Sequence, residues 1–363
     1  MQFKSNQVSG VKPAQNSKIP FKQQILSCAF QGSDSKIVVA ELVDSKLEIS
    51  AIDLLDVKNR RERNFEILNK RELALPIGKN DRSKPDVHIG RGGRLMSVRF
   101  KGAKAGEGIN TIINLEERPK DFVGIWPQSW EGIGFTKWTV CESKRLIVRS
   151  NDTLPPENTT HSTPVDIEIY ELRSDRNAPE KVHQISLLRL TSKNGQKILS
   201  SRPICISDDG SMILFPDCIR NTSGGETVLK DIEAGVPSRF SPSCKRLATI
   251  VGNENVILEL DFHLQKIDKK PVRLRTEIYR KEDQVHLFAF LPDGSRVFTV
   301  SEDGTIRIWQ ADREAKPIVL RENFSNAKSL DVSHDGRFLI CANDKEIAIF
   351  DAGQSFVCEP ERE

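Results

Sequence analysis

The residues that could do chemistry are scattered, and they fall into no spacing that a known metal or catalytic site requires. The seven cysteines include no CxxC pair, which a zinc ribbon or finger would need. The six histidines stand far apart, and HExxH, GxSxG and GxxxxGKS/T motifs are all absent. We therefore predict no catalytic residues, no metal site and no cofactor, and we expect the cysteines to behave as small buried hydrophobic residues.

Positive charge is concentrated in one segment, although the net charge of the chain is only +3. Residues 58–104 contain fourteen Lys or Arg and five Asp or Glu, a net charge of +9, which leaves −6 for the rest of the chain. Such asymmetry can attract an acidic partner or a nucleic-acid backbone. A solvated loop whose charge only maintains solubility is the alternative.

Two groups of residues form the candidate partner surface, one in the basic segment and one in a tryptophan-rich segment at 125–138. Exposed tryptophans would anchor a peptide or protein, whereas buried ones would serve core packing. Residues 59–75 have helical composition and predict a short surface helix or a docking arm. The candidate partner residues are Arg60, Arg61, Arg63, Lys79, Arg82, Lys84, Arg91, Arg94, Trp126 and Trp130.

The elements that must position these residues are short strands separated by tight turns. The clearest unit has apolar runs at 286–291, 296–301 and 305–310, joined by Pro292-Asp-Gly-Ser295 and Glu302-Asp-Gly304. Pro-Asp-Gly and Asp-Gly supply the fixed and the positive φ angles that tight connections need. This pattern predicts three consecutive antiparallel strands.

The same order of runs and turns recurs along the chain and gives seven units in all. It is clear at 329–351, 238–261 and 204–231, and weaker at 25–53, 87–117 and 138–172. Repeated small sheets that cannot bury both faces alone are typical of a β-propeller. We predict an all-β fold, a single β-propeller with seven blades of four-stranded antiparallel sheet. A β-sandwich with a second β domain is the alternative.

The predicted domain limits follow these units. Residues 1–20 form an N-terminal arm or the strand that closes the last blade, a role for which 355–358 is the alternative. Residues 58–84 form a basic insertion. The propeller spans 21–358, with blades at about 21–57, 85–118, 122–175, 181–234, 236–266, 276–316 and 318–358.

The segments Phe290-Leu-Pro-Asp-Gly294 and Ser301-Glu-Asp-Gly-Thr-Ile-Arg-Ile-Trp309 resemble the WD-repeat (Trp-Asp repeat) propeller family. The resemblance implies that Asp303 and Trp309 are structural blade residues held in a hydrogen-bond network, with Asp351 as the terminal aspartate of the last unit. Gln310 replaces that aspartate in the clearest unit, and Arg280-Lys281 stands where the family has Gly-His. The chain therefore resembles a divergent member.

The resemblance and the charge pattern together predict a non-catalytic protein–protein interaction scaffold or complex subunit, with one or more proteins as partners. A propeller that binds nucleic acid through residues 58–104 and a propeller enzyme with a central-channel site are the alternatives. Apolar runs long enough for a membrane span are absent, and the first 20 residues resemble no signal peptide. We expect no membrane association and a cytoplasmic or nuclear location.

Overall fold

The computed structural model shows a chain built from β-strands. Within the described residues every regular element is a strand, and no helix is long and apolar enough to cross a membrane. The described residues are 15–32, 36–43, 46–53, 67–73, 85–90, 92–93, 95–101, 108–115, 138–141, 146–151, 164–171, 180–188, 204–263, 266–267, 270–275 and 284–351.

The strands are short, and most are joined by tight turns. The first twelve are β1 (Gln15–Pro20), β2 (Gln24–Phe30), β3 (Lys36–Val43), β4 (Lys46–Asp53), β5 (Ile67–Leu73), β6 (Asp86–Ile89), β7 (Leu95–Lys101), β8 (Gly108–Asn114), β9 (Trp138–Cys141), β10 (Leu146–Asn151), β11 (Pro164–Glu171) and β12 (Glu180–Leu188). The others are β13 (Cys205–Ile206), β14 (Met212–Leu214), β15 (Cys218–Asn221), β16 (Thr227–Lys230), β17 (Arg239–Phe240), β18 (Arg246–Val251), β19 (Glu254–Asp261), β20 (Lys266–Ile267), β21 (Val272–Arg273), β22 (Val285–Phe290), β23 (Arg296–Ser301), β24 (Ile306–Gln310), β25 (Ile318–Arg321), β26 (Ser329–Val332), β27 (Phe338–Ala342) and β28 (Glu346–Asp351).

These strands form antiparallel sheets in which chain neighbours pair. Among the described residues, sheet 1 holds β2–β5, sheet 2 β6–β8, sheet 3 β9–β12, sheet 4 β13–β16, sheet 5 β17–β21 and sheet 6 β22–β25. Sheet 7 holds β26–β28 together with β1, which comes from the other end of the chain. The predicted all-β class with four-stranded antiparallel sheets is confirmed for most of these sheets.

Both faces of a sheet are apolar, and this explains why the sheets pack side by side. All six residues of β23 are buried. Alternate residues of a strand point to opposite faces. Val297 accordingly packs in the cluster shared with sheet 5, whereas Phe298 and Val300 pack in the cluster shared with sheet 7.

Six hydrophobic clusters of this kind join consecutive sheets. They lie between sheets 1 and 2, 3 and 4, 4 and 5, 5 and 6, 6 and 7, and 7 and 1. The residues between β8 and β9, 116–137, lie outside the described residues, as do many side chains of sheets 2 and 3. The sheets therefore follow one another in chain order from sheet 3 through sheet 7 and on to sheets 1 and 2.

Polar side chains also tie the first strands of neighbouring sheets together. The Phe30 amide donates to the Asp331 carboxylate at 3.0 Å, and the Cys28 amide donates to the Ser329 hydroxyl at 3.1 Å. On the other side of sheet 1, the Ile89 amide donates to the Ser27 hydroxyl at 3.1 Å. Backbone donors of a buried strand need partners, and here the next sheet supplies them.

The N-terminal strand completes the sheet at the other end of the chain. β1 pairs with β28 from Gln15 opposite Asp351 to Pro20 opposite Glu346. Ile19 is 2% exposed and packs in the cluster between sheets 7 and 1, whereas the side chain of Lys18 is 67% exposed. Of the two segments considered for this position, 15–20 is the one paired with β28, and 355–358 lies outside the described residues.

The outermost strands lie beyond several of the predicted blade limits. β12 pairs with β11, with Ile185 opposite Ile167, so residues 180–188 belong to sheet 3 and not to the following unit. β5, β21 and β25 likewise follow the ends predicted at 57, 266 and 316. In β12 and β25 several residues are exposed or half-buried, so these outermost strands lack the continuous apolar run that marks an inner strand.

The segment at 59–75 differs from the predicted surface helix or docking arm. Residues 67–73 form β5, which pairs with β4 from Leu73 opposite Leu47 to Ile67 opposite Ile52. Helix propensity is a weak preference, and the open edge of β4 offers backbone hydrogen bonds that override it. Part of the predicted basic insertion is therefore the fourth strand of sheet 1.

Replacing Ile19 with alanine should weaken the contact between sheets 7 and 1. Because Ile19 is buried in that cluster, we expect the free energy of unfolding to fall by about 3 kcal/mol. Lys18→Ala, in the same strand, should cost less than about 0.5 kcal/mol. Urea denaturation of both variants measures the difference, and equal losses would show that β1 does not contribute a buried anchor.

Candidate interaction surface

Trp309 is a buried side chain of sheet 6. The indole Nε1–H of Trp309 donates to the Thr299 hydroxyl at 2.8 Å, and both residues are buried. Trp309 packs in the cluster between sheets 5 and 6. The indole N–H group therefore has a hydrogen-bond partner within the core, as a buried tryptophan requires.

Asp303 organises the tight turn between β23 and β24. Its carboxylate accepts hydrogen bonds from the Thr305 amide at 2.8 Å and the Thr305 hydroxyl at 2.9 Å, and it pairs with Arg307 at 2.7 Å. Arg307 is buried and also donates to the Ser301 hydroxyl at 2.9 Å. Partial burial acts to raise the pKa of Asp303, but the hydrogen bonds from Arg307 and Thr305 outweigh it and leave that pKa below its usual range.

Asp351 makes a comparable contact in sheet 7. Both of its carboxylate oxygens accept hydrogen bonds from the guanidinium of Arg337, at 3.2 and 3.3 Å. The pair joins the start of β27 to the end of β28. In sheet 6, Gln310 takes the position of Asp351 at the end of the third strand, so this carboxylate–guanidinium pair is not repeated there.

The loop after β25 closes over the Asp303 turn. The Phe324 amide donates to the Gly304 carbonyl at 2.7 Å, and the Phe324 side chain is fully buried. Gly304 has a φ of +76°, and a Cβ atom there would lie 3.1 Å from the Phe324 backbone. Only glycine fits this turn, which fixes the loop against the end of the sheet.

His286 occupies a β-bulge at the same end of sheet 6. The register of β22 shifts between Val285 and Leu287, which leaves His286 without an opposite residue. Sheet 1 has the same shift at Leu26, which is buried and apolar. Burial lowers the pKa of His286, although Glu302, a hydrogen bond to the Ala327 backbone and Asp303 act in the opposite direction. Its Nδ1 atom is buried with no hydrogen-bond partner among the described residues.

The loop at 231–238 connects sheet 4 with sheet 5. Hydrogen bonds hold its backbone, and it carries an exposed apolar side chain. The Ile232 and Ala234 amides donate to the Asp217 and Pro216 carbonyls at 3.2 and 2.9 Å, and the Gly235 amide donates to the Ile250 carbonyl at 2.8 Å. Ser238 hydrogen-bonds both the Gly235 carbonyl and the Thr249 hydroxyl. Although the loop backbone is held by these hydrogen bonds, the Val236 side chain is 60% exposed.

The exposed charged residues of this loop and of the turn that it contacts are mostly acidic. Asp217, Asp231 and Glu233 are exposed in this loop and in the turn that it contacts, and Lys230 is the exposed cation next to them. An exposed apolar side chain on a rigid loop with a charged rim has the features of a protein contact. We call residues 231–238 with Asp217 the Val236 loop surface.

The cysteine environments favour unreactive thiols. Burial is the main cause that raises the pKa of Cys28, and that of Cys244, to about 12. These thiols stay protonated at neutral pH, and a protonated thiol is a poor nucleophile. Among the described residues no group of three or more His, Cys, Asp or Glu side chains is arranged to hold a metal ion.

The predicted partner residues are not among those that the structure describes. The structure therefore does not bring the basic and tryptophan groups together or separate them. The residues concerned are Arg60, Arg61, Arg63, Lys79, Arg82, Lys84, Arg91, Arg94, Trp126 and Trp130. Sequence reasoning missed the Val236 loop surface, since a single valine beside Gly235 and Pro237 in a turn gives no signal of exposure.

Residues 276–310 match the protein-family model described as WD domain, G-beta repeat. The match ends at Gln310, directly after the buried Trp309, and includes the Asp303 turn. It confirms the resemblance to the WD-repeat family seen in the sequence, and this segment is a WD40 repeat. A comparison with curated proteins found no significant match.

Removal of the Asp303 carboxylate should destabilise the protein through Arg307. The Arg307 side chain is 8% exposed, and Asp303→Ala would leave its charge buried without this partner. We expect a loss of about 2 kcal/mol in the free energy of unfolding, partly recovered in Asp303→Asn. Asp293→Ala is the matched control, since Asp293 makes the equivalent turn contacts only with Ser295. Equal losses at the two positions would contradict the role of the Arg307 pair.

His286→Leu should stabilise the protein, and more so at acid pH. The leucine copies Leu26 of sheet 1 and removes a buried unsatisfied nitrogen, which outweighs the hydrogen bond lost at the Ala327 backbone and gives a gain of less than about 1 kcal/mol at neutral pH. Because the pKa of His286 is lowered by folding, the unfolded chain takes up a proton first as the pH falls, and wild-type stability declines below about pH 6.5. Urea denaturation at about pH 7.5 and about pH 5.5 measures this, with the exposed His334→Asn as control. A stability difference that shrinks on acidification would refute this account.

Proposed function

We propose that the chain is a single seven-bladed WD-repeat propeller that acts as a non-catalytic scaffold in a protein complex. The continuous packing from sheet 3 through sheet 7 to sheet 2 supports this, since one further contact, between sheets 2 and 3, would close the ring. In this proposal each blade consists of one sheet with its outermost strand, and the protein works in the cytoplasm or nucleus. WD40 repeats generally serve protein interaction, and the matched repeat is the link to that role.

The Val236 loop surface is the observation that carries the proposal. A scaffold needs contact residues whose position does not change when the partner arrives, because ordering a loop on binding costs affinity. The backbone of the loop is hydrogen-bonded to Asp217, Pro216 and Ile250, so it is ordered before any partner binds. Val236 then offers an apolar anchor that burial in an interface would stabilise.

The charge around Val236 selects the chemistry of the partner. With Asp217, Asp231 and Glu233 exposed in the loop and in the turn that it contacts, the surface would attract a segment that carries Lys or Arg next to an apolar residue. Rim charges of this kind mainly affect the association rate and its salt dependence. The proposed partner is therefore a protein with a basic, partly apolar segment.

Val236→Asp should reduce capture of the partner without affecting the fold. The tagged wild type and the variant are used to purify partners from the source cell, followed by quantitative mass spectrometry. We expect at least a tenfold loss of a specific partner, because an aspartate at the centre of an interface costs well over about 1.4 kcal/mol. Val319→Asp, at the other large hydrophobic side chain that is exposed among the described residues, is the matched control. Unchanged recovery with Val236→Asp would reject this surface.

The basic segment at 58–104 favours a second candidate function, association with nucleic acid. Its net charge of +9 would neutralise phosphates and release counterions, so binding would weaken steeply with salt. Nuclease treatment and elution at about 0.1 and about 0.5 M salt in the same purification separate the two functions. Partners that survive both treatments support the protein scaffold, and partners lost with nuclease support the nucleic-acid role.

A further inference from the structure

The loop between β25 and β26, residues 322–328, is attached to the end of sheet 6 at two neighbouring points. The Phe324 amide donates to the Gly304 carbonyl at 2.7 Å. Three residues further on, the Ala327 backbone is hydrogen-bonded to the imidazole ring of His286. One attachment of this loop is therefore a titratable side chain, and it stands at the β-bulge of β22.

The two ring nitrogens of His286 have different surroundings. Nδ1 is buried without a hydrogen-bond partner among the described residues, so the bond to Ala327 is made by Nε2. That bond favours the protonated ring, which means that Nε2–H donates and the Ala327 carbonyl accepts. A second proton must therefore go to Nδ1, where the loop in its present position leaves it no acceptor. A buried charged donor without an acceptor is unfavourable.

The charged groups next to His286 favour the proton that burial opposes. Glu302 and Asp303, in the turn between β23 and β24, both act to raise the pKa of His286, but burial outweighs them and lowers it. The loop and sheet 7 contribute further charges, of which four form two ion pairs. These charged residues are Arg321 paired with Glu346, Lys328 paired with Asp344, and Glu322, which is exposed. The ring thus lies beside carboxylates that attract a proton, in a place where that proton is not solvated.

The loop packs through one large side chain, that of Phe324. Phe324 is fully buried and lies, with Ala327, in the cluster between sheets 6 and 7. The guanidinium of Arg321 lies 4.8 Å from the centre of the Phe324 ring. The other residues of the loop are exposed, namely Glu322, Asn323, Ser325, Asn326 and Lys328. A segment with so few buried contacts opens at a lower free-energy cost than the strands that flank it.

We propose that residues 322–328 form a pH-sensitive loop, which opens when His286 is protonated and then exposes Phe324 at the end of sheet 6. Opening lets water reach Nδ1, while Glu302 and Asp303 continue to stabilise the charged ring. The neutral ring keeps the loop closed. Because the pKa of His286 is lowered only while the loop is closed, the open form gains population as the pH falls below about 6.5. Acid then makes a large apolar side chain available for contact.

Hydrogen–deuterium exchange of the full chain, read by mass spectrometry of its peptides, tests the proposal at about pH 7.5 and about pH 5.5. Each rate is divided by the intrinsic exchange rate at that pH. In the wild type we expect the protection of 322–328 to fall by about threefold or more on acidification, and that of the loop at 231–238 to stay constant. His286→Leu and His286→Gln cannot take up the proton, so protection of 322–328 should not change with pH in either. His334→Asn, at an exposed histidine, is the matched control and should behave like the wild type.

Three results would overturn the proposal. The first is a wild-type loop whose protection is the same at both pH values, and the second is an equal fall in the wild type and in the two neutral variants. The third is a fall of the same size at 231–238, which would mean that the whole protein loosens in acid and not this loop. Circular dichroism and thermal melting verify the fold of each variant, and either neutral variant alone suffices for the comparison. The outcome does not depend on the Val236 loop surface, which is tested by partner capture.

Discussion

Burial of both faces of a sheet, as seen in sheet 6, is the constraint on which the rest of the structure depends. A strand such as β23, buried along its whole length, cannot exist in a sheet that exposes one face to water. A sheet of this kind needs a neighbour on either side, and among the described residues six hydrophobic clusters join consecutive sheets. The backbone amides of β2 add polar links to the side chains of Ser329 and Asp331, so the packing is specific as well as apolar. Such packing leaves the strand ends and the outer edges as the surfaces open to contact.

The turns at the ends of sheet 6 show how polar groups support this packing. Asp303 and Arg307 neutralise each other where the chain reverses, and Thr299 satisfies the indole of Trp309 inside the core. His286 is the exception, because its Nδ1 atom is buried with no partner among the described residues at a bulge where sheet 1 has a leucine. A buried unsatisfied nitrogen costs stability, which makes this position a local weakness at the same end as the Asp303 turn.

The two exposed valines define different kinds of surface. Val236 projects from a hydrogen-bonded loop whose exposed charged residues are mostly acidic. Val319 lies on β25, which pairs with β24 on one side and with no described strand on the other. The WD40 repeat at 276–310 contains β22, β23 and β24 of sheet 6, the sheet that β25 with Val319 completes.

The sequence by itself determined the strand class, the repeat and the inner strands of most sheets. Apolar runs of alternating residues with Pro-Asp-Gly and Asp-Gly turns specify local structure, as the turn at Gly304 shows. The family resemblance singled out Asp303 and Trp309 as structural residues, and both make hydrogen bonds within sheet 6. The residues that form the outermost strand of a sheet could be assigned only from the tertiary structure. Residues 67–73 have helical composition, but they form β5 because β4 has an open edge. Residues 15–20 form β1 because they pair with β28, which lies more than three hundred residues away in the chain.

The exposure of Val236 and Val319 could not be predicted from the sequence. Exposure depends on which neighbours cover a side chain, and those neighbours come from distant parts of the chain.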